Sequence, residues 1–183
     1  MFARTPRLLL RPGFPEDAPA LAEAIADEAI ARNLVSVPWP YRMRDAEAFL
    51  ASPRDPVLPS LLIFERTQGA ARLIGSCGLG RRPSGAVEMG YWIAKTFWSR
   101  GFATEACSAL VDIAVTLRLG QLEGSHFLDN PASARVLEKL GFEAVGIIAP
   151  RMSCARGGEA PARLMRLSLT ADVAADDDEA LAA

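Results

Sequence analysis

The spacing of hydrophobic positions changes several times along the chain, and each change predicts an element. From Ala86 to Ala94, Val87, Met89, Tyr91 and Ile93 alternate with Glu88, Gly90, Trp92 and Ala94. That period of two, rich in aromatic and β-branched residues, predicts a central strand. After a short loop, Lys95 to Phe102, the period lengthens. Ala106, Leu110, Ile113, Ala114 and Leu117 recur at helical spacing and predict a helix from Ala103 to Leu117. Upstream, Leu8–Arg11 reads as a first strand, and Glu16–Arg32 as a helix with Asp17 as cap and Pro19 in its first turn. Pro38 and Pro40 bar any helix through Asn33–Tyr41. Asp45–Ala51 predicts a second short helix, and the prolines of Ser52–Pro59 a loop. Leu61–Phe64 and Arg72–Cys77 predict an antiparallel hairpin that feeds the central strand. Gly78-Leu79-Gly80 reads as a turn.

Downstream, Gln121–Phe127 predicts a strand. Asn130 and Pro131 are a cap and a first helical residue, and Gly141 is a left-handed stop. Glu143–Ile148 predicts another strand, Arg151–Pro161 a loop, and Ala162–Thr170 the last strand. The order is β-α-α-β-β-β-α-β-α-β-β. It predicts an α/β (α+β mixed) fold in one domain over residues 1–170, followed by a disordered acidic tail at 171–183.

Composition narrows the function. The net charge of −2 argues against nucleic acid as a main partner. No apolar run approaches a membrane span, and Leu8-Leu9-Leu10 is too short for a signal-peptide core. Three widely spaced cysteines, Cys77, Cys107 and Cys154, make no metal pattern, and a cytoplasmic setting is expected. His126, the single histidine, is expected to be a rim or structural residue, and Arg81-Arg82 to face solvent.

The candidate chemistry lies where strand gives way to helix. A strand, a tight loop holding Gly101 and a helix start form an anion site, because the first N–H groups of a helix lack internal partners and carry the positive end of its dipole. Gly101 and Ala103 are small enough to let a phosphate reach that backbone. No Walker loop is present, and the glycines at 78 and 80 lead into a strand, not a helix, so a dinucleotide fingerprint fails. Glu88 heads the central strand on the same face as Gly90, whose missing side chain leaves room beside the carboxylate.

Three blocks carry a family resemblance: Glu88-Met89-Gly90-Tyr91-Trp92-Ile93, then Trp98-Ser99-Arg100-Gly101-Phe102-Ala103-Thr104-Glu105-Ala106, then Asn130-Pro131-Ala132-Ser133 followed by Val136-Leu137-Glu138-Lys139-Leu140-Gly141-Phe142. In this order they resemble the GNAT N-acetyltransferases, in particular the RimJ/RimL-type branch. The resemblance implies a mixed, mostly antiparallel sheet of six to seven strands, splayed in the middle, with helices on both faces. It implies acetyl-CoA as cosubstrate and no metal. The backbone of Ile93 and Ala94 would meet the pantetheine arm, and the N–H groups of Ser99, Arg100, Gly101, Phe102, Ala103 and Thr104 the pyrophosphate. Asn130 would orient the arm near the thioester. Arg135, with Lys139, would meet the outer phosphate. Ser133 would serve the departing thiolate and Glu88 would act as base. Trp39 and Tyr41 would contact the acceptor, a small-molecule amine or a protein N-terminus. Trp98 stands where the wider superfamily has a phosphate-binding side chain. A homodimer is possible by the same resemblance. The alternative is a non-catalytic acyl-CoA-binding regulatory protein.

Overall fold

The computed structural model describes residues 1–169. The acidic tail and the last residue of the final strand expected from sequence lie outside the described residues. Thirteen helices and strands form the scaffold. The first half holds β1 (Ala3–Arg4), β2 (Leu8–Arg11), α1 (Ala18–Ile25), α2 (Glu28–Ala31), α3 (Met43–Ala51), β3 (Ser60–Glu65) and β4 (Arg72–Arg81). The second holds β5 (Val87–Ile93), α4 (Phe102–Thr116), β6 (Gln121–Phe127), α5 (Pro131–Lys139), β7 (Glu143–Ser153) and β8 (Gly158–Ser168). The strands make one mixed sheet of eight, in the order β1-β2-β3-β4-β5-β6-β8-β7, one more than the upper count expected.

Every junction is antiparallel except β5–β6, which is parallel and paired only at Glu88↔Glu123. Beyond that single rung the two strands part. The alternation along β5 sends Val87, Met89 and Ile93 into the larger core, against Ala106, Cys107, Leu110 and Ala114 of α4 and Leu137 of α5. The other face carries Leu62 and Phe64, which pack under Ala18 and Leu21 of α1 and Ala46 and Leu50 of α3. Gly124 of β6 lets α5 approach closely, since a Cβ there would stand 2.9 Å from Leu137.

Three local readings are corrected, and the structural reading of His126 holds. The helix expected over Glu16–Arg32 breaks at Ala26, and Asp27 starts a new one by accepting from the Ala29 N–H at 2.8 Å. An extended Asp27, pinned there by a salt bridge to Lys95 at 2.9 Å, explains the break. Gly78-Leu79-Gly80 lies inside β4, paired across to Gly90, Met89 and Glu88, because the neighbouring strands satisfy its backbone. The loop expected over Arg151–Pro161 is the heart of a long β7–β8 hairpin, which turns only at Cys154–Gly157, with Gly157 at φ +67°. His126 is buried, with Nδ1 3.0 Å from the Phe127 carbonyl.

Candidate active site

The loop after β5 is built to display main-chain N–H groups. Lys95–Phe97 makes one tight 3-10 turn, then Ser99 and Gly101 both take left-handed conformations, at φ 61° and 79°. Two left-handed residues around Arg100 turn successive amides toward one side, a concavity suited to an anion. Gly101 then caps α4, and the first intrahelical bond is Glu105 N–H to the Gly101 carbonyl at 3.0 Å. The N–H groups of Phe102, Ala103 and Thr104 thus have no partner within the helix. Phe102 itself is buried against Phe97, so the loop is anchored from below.

The N-terminal strands latch onto this helix start. Glu105 accepts from the Thr5 hydroxyl at 2.6 Å, the Arg7 N–H at 2.9 Å and the Arg7 guanidinium at 2.6 Å. Burial alone would raise the Glu105 pKa, but these bonds outweigh it and hold the carboxyl below its usual range. Beside the latch runs an open groove of about 680 Å³, walled by Arg4, Gly101, Thr104, Ser108, Asp112 and Lys139. Lys139 lines this groove, whereas Arg135 is not among its lining residues.

Where β5 and β6 part, the register decides which backbone groups face the gap. The Ala94 N–H turns to β4 and donates to the Ile74 carbonyl at 2.8 Å. Alternation therefore turns the main-chain groups of Tyr91 and Ile93 toward β6. The Ile93 carbonyl accepts from the Trp98 indole at 2.6 Å, so Trp98 braces the loop against the strand end. Across the gap, the Tyr91 hydroxyl lies 2.8 Å from Ser133 Oγ on α5. Burial pushes the Tyr91 pKa far up, which keeps the phenol protonated. Tyr91 was legible as a strand residue only; the signal for more was its aromatic hydroxyl on the strand that precedes the loop. The Asn130 side chain accepts from the Ser133 N–H at 3.3 Å and caps α5.

Glu88 sits at the fork itself. Ser125 Oγ donates to its Oε1 and Arg151 Nη2 to its Oε2, both at 2.7 Å. Arg82 stands 3.9 Å from Glu88 and 3.1 Å from Glu123, which also meets Arg166 at 3.2 Å. Arg82 is thus a member of this cluster, not the free surface residue expected from sequence. Directly across β4 from Glu88 lies Gly80, and two residues along β5 lies Gly90; a Cβ on either would meet nothing within 4 Å. A bare floor therefore runs up to the carboxylate on the face that α1 and α3 leave uncovered. At its outer end a cavity of about 250 Å³ is lined by Phe49, Arg54, Asp55, Leu79 and Gly80.

Of the two aromatic residues expected at the acceptor, Trp39 is 39% exposed, while Tyr41 is half-buried against the smaller core. Burial, with Asp45 nearby, pushes the Tyr41 pKa up to about 12. Their loop is tied to the β7–β8 hairpin: Ser153 Oγ and Arg156 Nε donate to the Arg32 carbonyl at 3.1 and 2.7 Å, and the Cys154 N–H to the Val35 carbonyl at 3.0 Å. The buried Cys77 and Cys107 have raised thiol pKa values, from desolvation, and pack as small apolar residues. Among the described residues no helix is long and apolar enough to cross a membrane.

A mixed sheet of eight strands that forks beside a glycine-capped helix is the acetyltransferase fold. Residues 7–143 match the acetyltransferase (GNAT) domain, and the chain belongs to that family. It is 30% identical over 152 residues to YoaA of Bacillus subtilis, an uncharacterised N-acetyltransferase, covering 79% of this chain and 84% of that one. A GNAT-family acetyltransferase from Bacillus anthracis superposes with a TM-score of 0.77 at 18% identity, over 92% of this chain and 99% of that one. RimL, a ribosomal L7/L12 α-N-protein acetyltransferase solved with coenzyme A, gives 0.74 at 17% identity, over 92% and 98%. The protein is an N-acetyltransferase, and the two structural likenesses establish the shared fold.

Proposed function

We propose that the protein transfers acetyl from acetyl-CoA directly to a primary amine, in the manner of the RimJ/RimL-type branch. The observation that carries this reading is the turn at Ser99–Gly101 with the free amides of Phe102, Ala103 and Thr104 beyond it. Those amides suit a pyrophosphate, and the adjoining groove with Lys139 suits the rest of the nucleotide. Arg135, on the same helix, belongs to this reading as a second cation for the outer phosphate. The gap between β5 and β6 offers the Ile93 side of β5 as an edge for an amide-bearing arm, as sheet edges accept extended ligands. The likeness to RimL, a protein solved with coenzyme A, points the same way.

In this reading the acceptor lies on the glycine floor, with Trp39 and Tyr41 in its wall. An ammonium must lose a proton before nitrogen attacks the thioester carbonyl. Glu88 takes it, directly or through water. Nitrogen–carbon bond formation and carbon–sulfur cleavage then leave a thiolate, and the Tyr91–Ser133 hydroxyl pair at 2.8 Å supplies a donor to it. Asn130 positions Ser133 through its cap bond.

Thiol release from acetyl-CoA across an amine panel, with Glu88→Gln alongside, tests the proposal. Replacing the base is expected to lower kcat by roughly 10²-fold or more near pH 7, with the deficit shrinking as pH rises and free amine accumulates. An unchanged pH profile for Glu88→Gln removes the base assignment. Thiol release with none of the amines, despite CoA binding, favours the acyl-CoA-binding regulator instead. A homodimer also belongs to the proposal: β7 ends the sheet, and Ile147, Ile148 and Met152 on it are about half exposed.

A further inference from the structure

The acceptor side of the fork holds a guanidinium that is only half used. Arg151 lies on β7, far along the sheet, and the curl of the hairpin carries it to Glu88. Its Nη2 donates to Glu88 Oε2 at 2.7 Å. Its Nη1 is buried, with neither a hydrogen-bond partner nor contact with solvent. An arginine fork is shaped to give two parallel bonds to one oxygen-bearing group. Leaving one arm of a charged donor dry and unpaired is costly unless something arrives to meet it.

The charges around it bias what that can be. Arg82, Arg151 and Arg166 stand against Glu88 and Glu123, three guanidinium groups to two carboxylates. The cluster therefore carries one surplus positive charge beside the bare floor of Gly80 and Gly90. A polycationic amine would meet that surplus as repulsion. An amine carrying its own carboxylate would present the nitrogen to Glu88 and the anion to the Arg151 side chain, which keeps 22% of its surface exposed.

Resting on the acetyltransferase reading above, we infer that Arg151 is the specificity-determining residue of the acceptor site, and that it selects amines bearing a carboxylate close to the reacting nitrogen. Amino acids and short acidic amines fit this class; diamines and polyamines do not. Glu88 keeps its bond to Nη2 in either case, so Arg151 reads the acceptor without leaving the carboxylate it holds.

A matched trio of acceptors tests this: an amino acid, its carboxamide, and the amine left by removing its carboxyl group. Initial rates of thiol release from acetyl-CoA give kcat/KM for each with wild type, Arg151→Lys and Arg151→Gln. Wild type is expected to favour the amino acid over the decarboxylated amine by about tenfold or more. In Arg151→Gln that ratio is expected to fall toward one, and in Arg151→Lys to fall part of the way, because lysine keeps the charge as a single point and glutamine removes it. A coenzyme A thermal shift equal to that of wild type shows that each variant is folded. A wild-type preference for polyamines, or a ratio that survives both substitutions, overturns the inference while leaving the acetyltransferase reading intact. Equal use of acid and carboxamide overturns the requirement for an anion. Failure of wild type to bind coenzyme A brings down both.

Discussion

At the residue scale, two glycines do different work, and substitution separates them. Gly101 is needed for its conformation: φ of 79° is left-handed, and a Cβ would meet only Arg7 Nη2, at 3.5 Å. Gly101→Ala therefore costs about 1–2 kcal/mol in backbone strain rather than in crowding. Relief of that strain rotates the amides of the loop, so coenzyme A affinity is expected to drop roughly tenfold by calorimetry. Gly90, at the proposed acceptor position, is needed for its emptiness. Its backbone is ordinary strand and nothing lies within 4 Å of a built Cβ. Gly90→Val is expected to keep or raise thermal stability, since valine suits a strand, and to keep coenzyme A binding. The acceptor KM is expected to rise about tenfold, as the side chain fills the floor. A valine variant with unaltered acceptor kinetics shows that the acceptor approaches from elsewhere.

At the element scale, the start of α4 is held by a strand turn nearly a hundred residues away in sequence, and the bond responds to acid. Glu105 has a folded-state pKa below its unfolded value, so its contribution to stability is complete above the unfolded value, about pH 4.3. It is lost as pH falls through the folded value. Glu105→Gln is expected to cost about 1–2 kcal/mol at pH 7, through the lost bonds from Thr5 and Arg7. By urea denaturation the gap to wild type is expected to narrow as pH falls below about 4.3; a gap that does not vary with pH shows that the ionised carboxylate is not what matters. This element was legible where local chemistry decided it. The period-two run through β5, the helical run through α4 and the Asn130–Pro131 start of α5 all stand where their patterns put them. The misreadings arose where distant partners overrode local signals. Gly78 and Gly80 look like punctuation, yet β3 and β5 pair with that stretch. The proline- and glycine-bearing stretch from Arg151 to Pro161 looks like a loop, yet Pro150 and Pro161 face each other in the β7–β8 register. Burial of Tyr91 against Ser133, and the reach of Arg151 to Glu88, are contacts across the fork that no local window contains.

At the scale of the whole molecule, the wall proposed for the acceptor is assembled from chain segments that meet only in the fold. Asp129 accepts from Arg156 at 2.8 and 2.9 Å and from Arg32 at 3.1 Å, joining the α2 end, the β6 end and the hairpin turn. The Arg156 bond, more than any other cause, holds the Asp129 carboxyl below its ordinary range. Asp129 lies immediately before the cap of α5, so it anchors the hairpin next to Ser133 without touching the helix start of α4. Asp129→Asn removes the charge and keeps the shape. The Arg32–Val35 loop and the hairpin that carries Arg151 are then expected to move apart. Acceptor KM should rise severalfold, while the coenzyme A thermal shift, governed by the Gly101 turn, should match wild type. Since the native carboxyl is depressed, wild type is expected to approach the variant's acceptor KM only in acid, below about pH 4. If Asp129→Asn weakens coenzyme A as much as it weakens the acceptor, the two halves of the site are one cooperative unit rather than a fixed cofactor cradle with a separately hung acceptor wall.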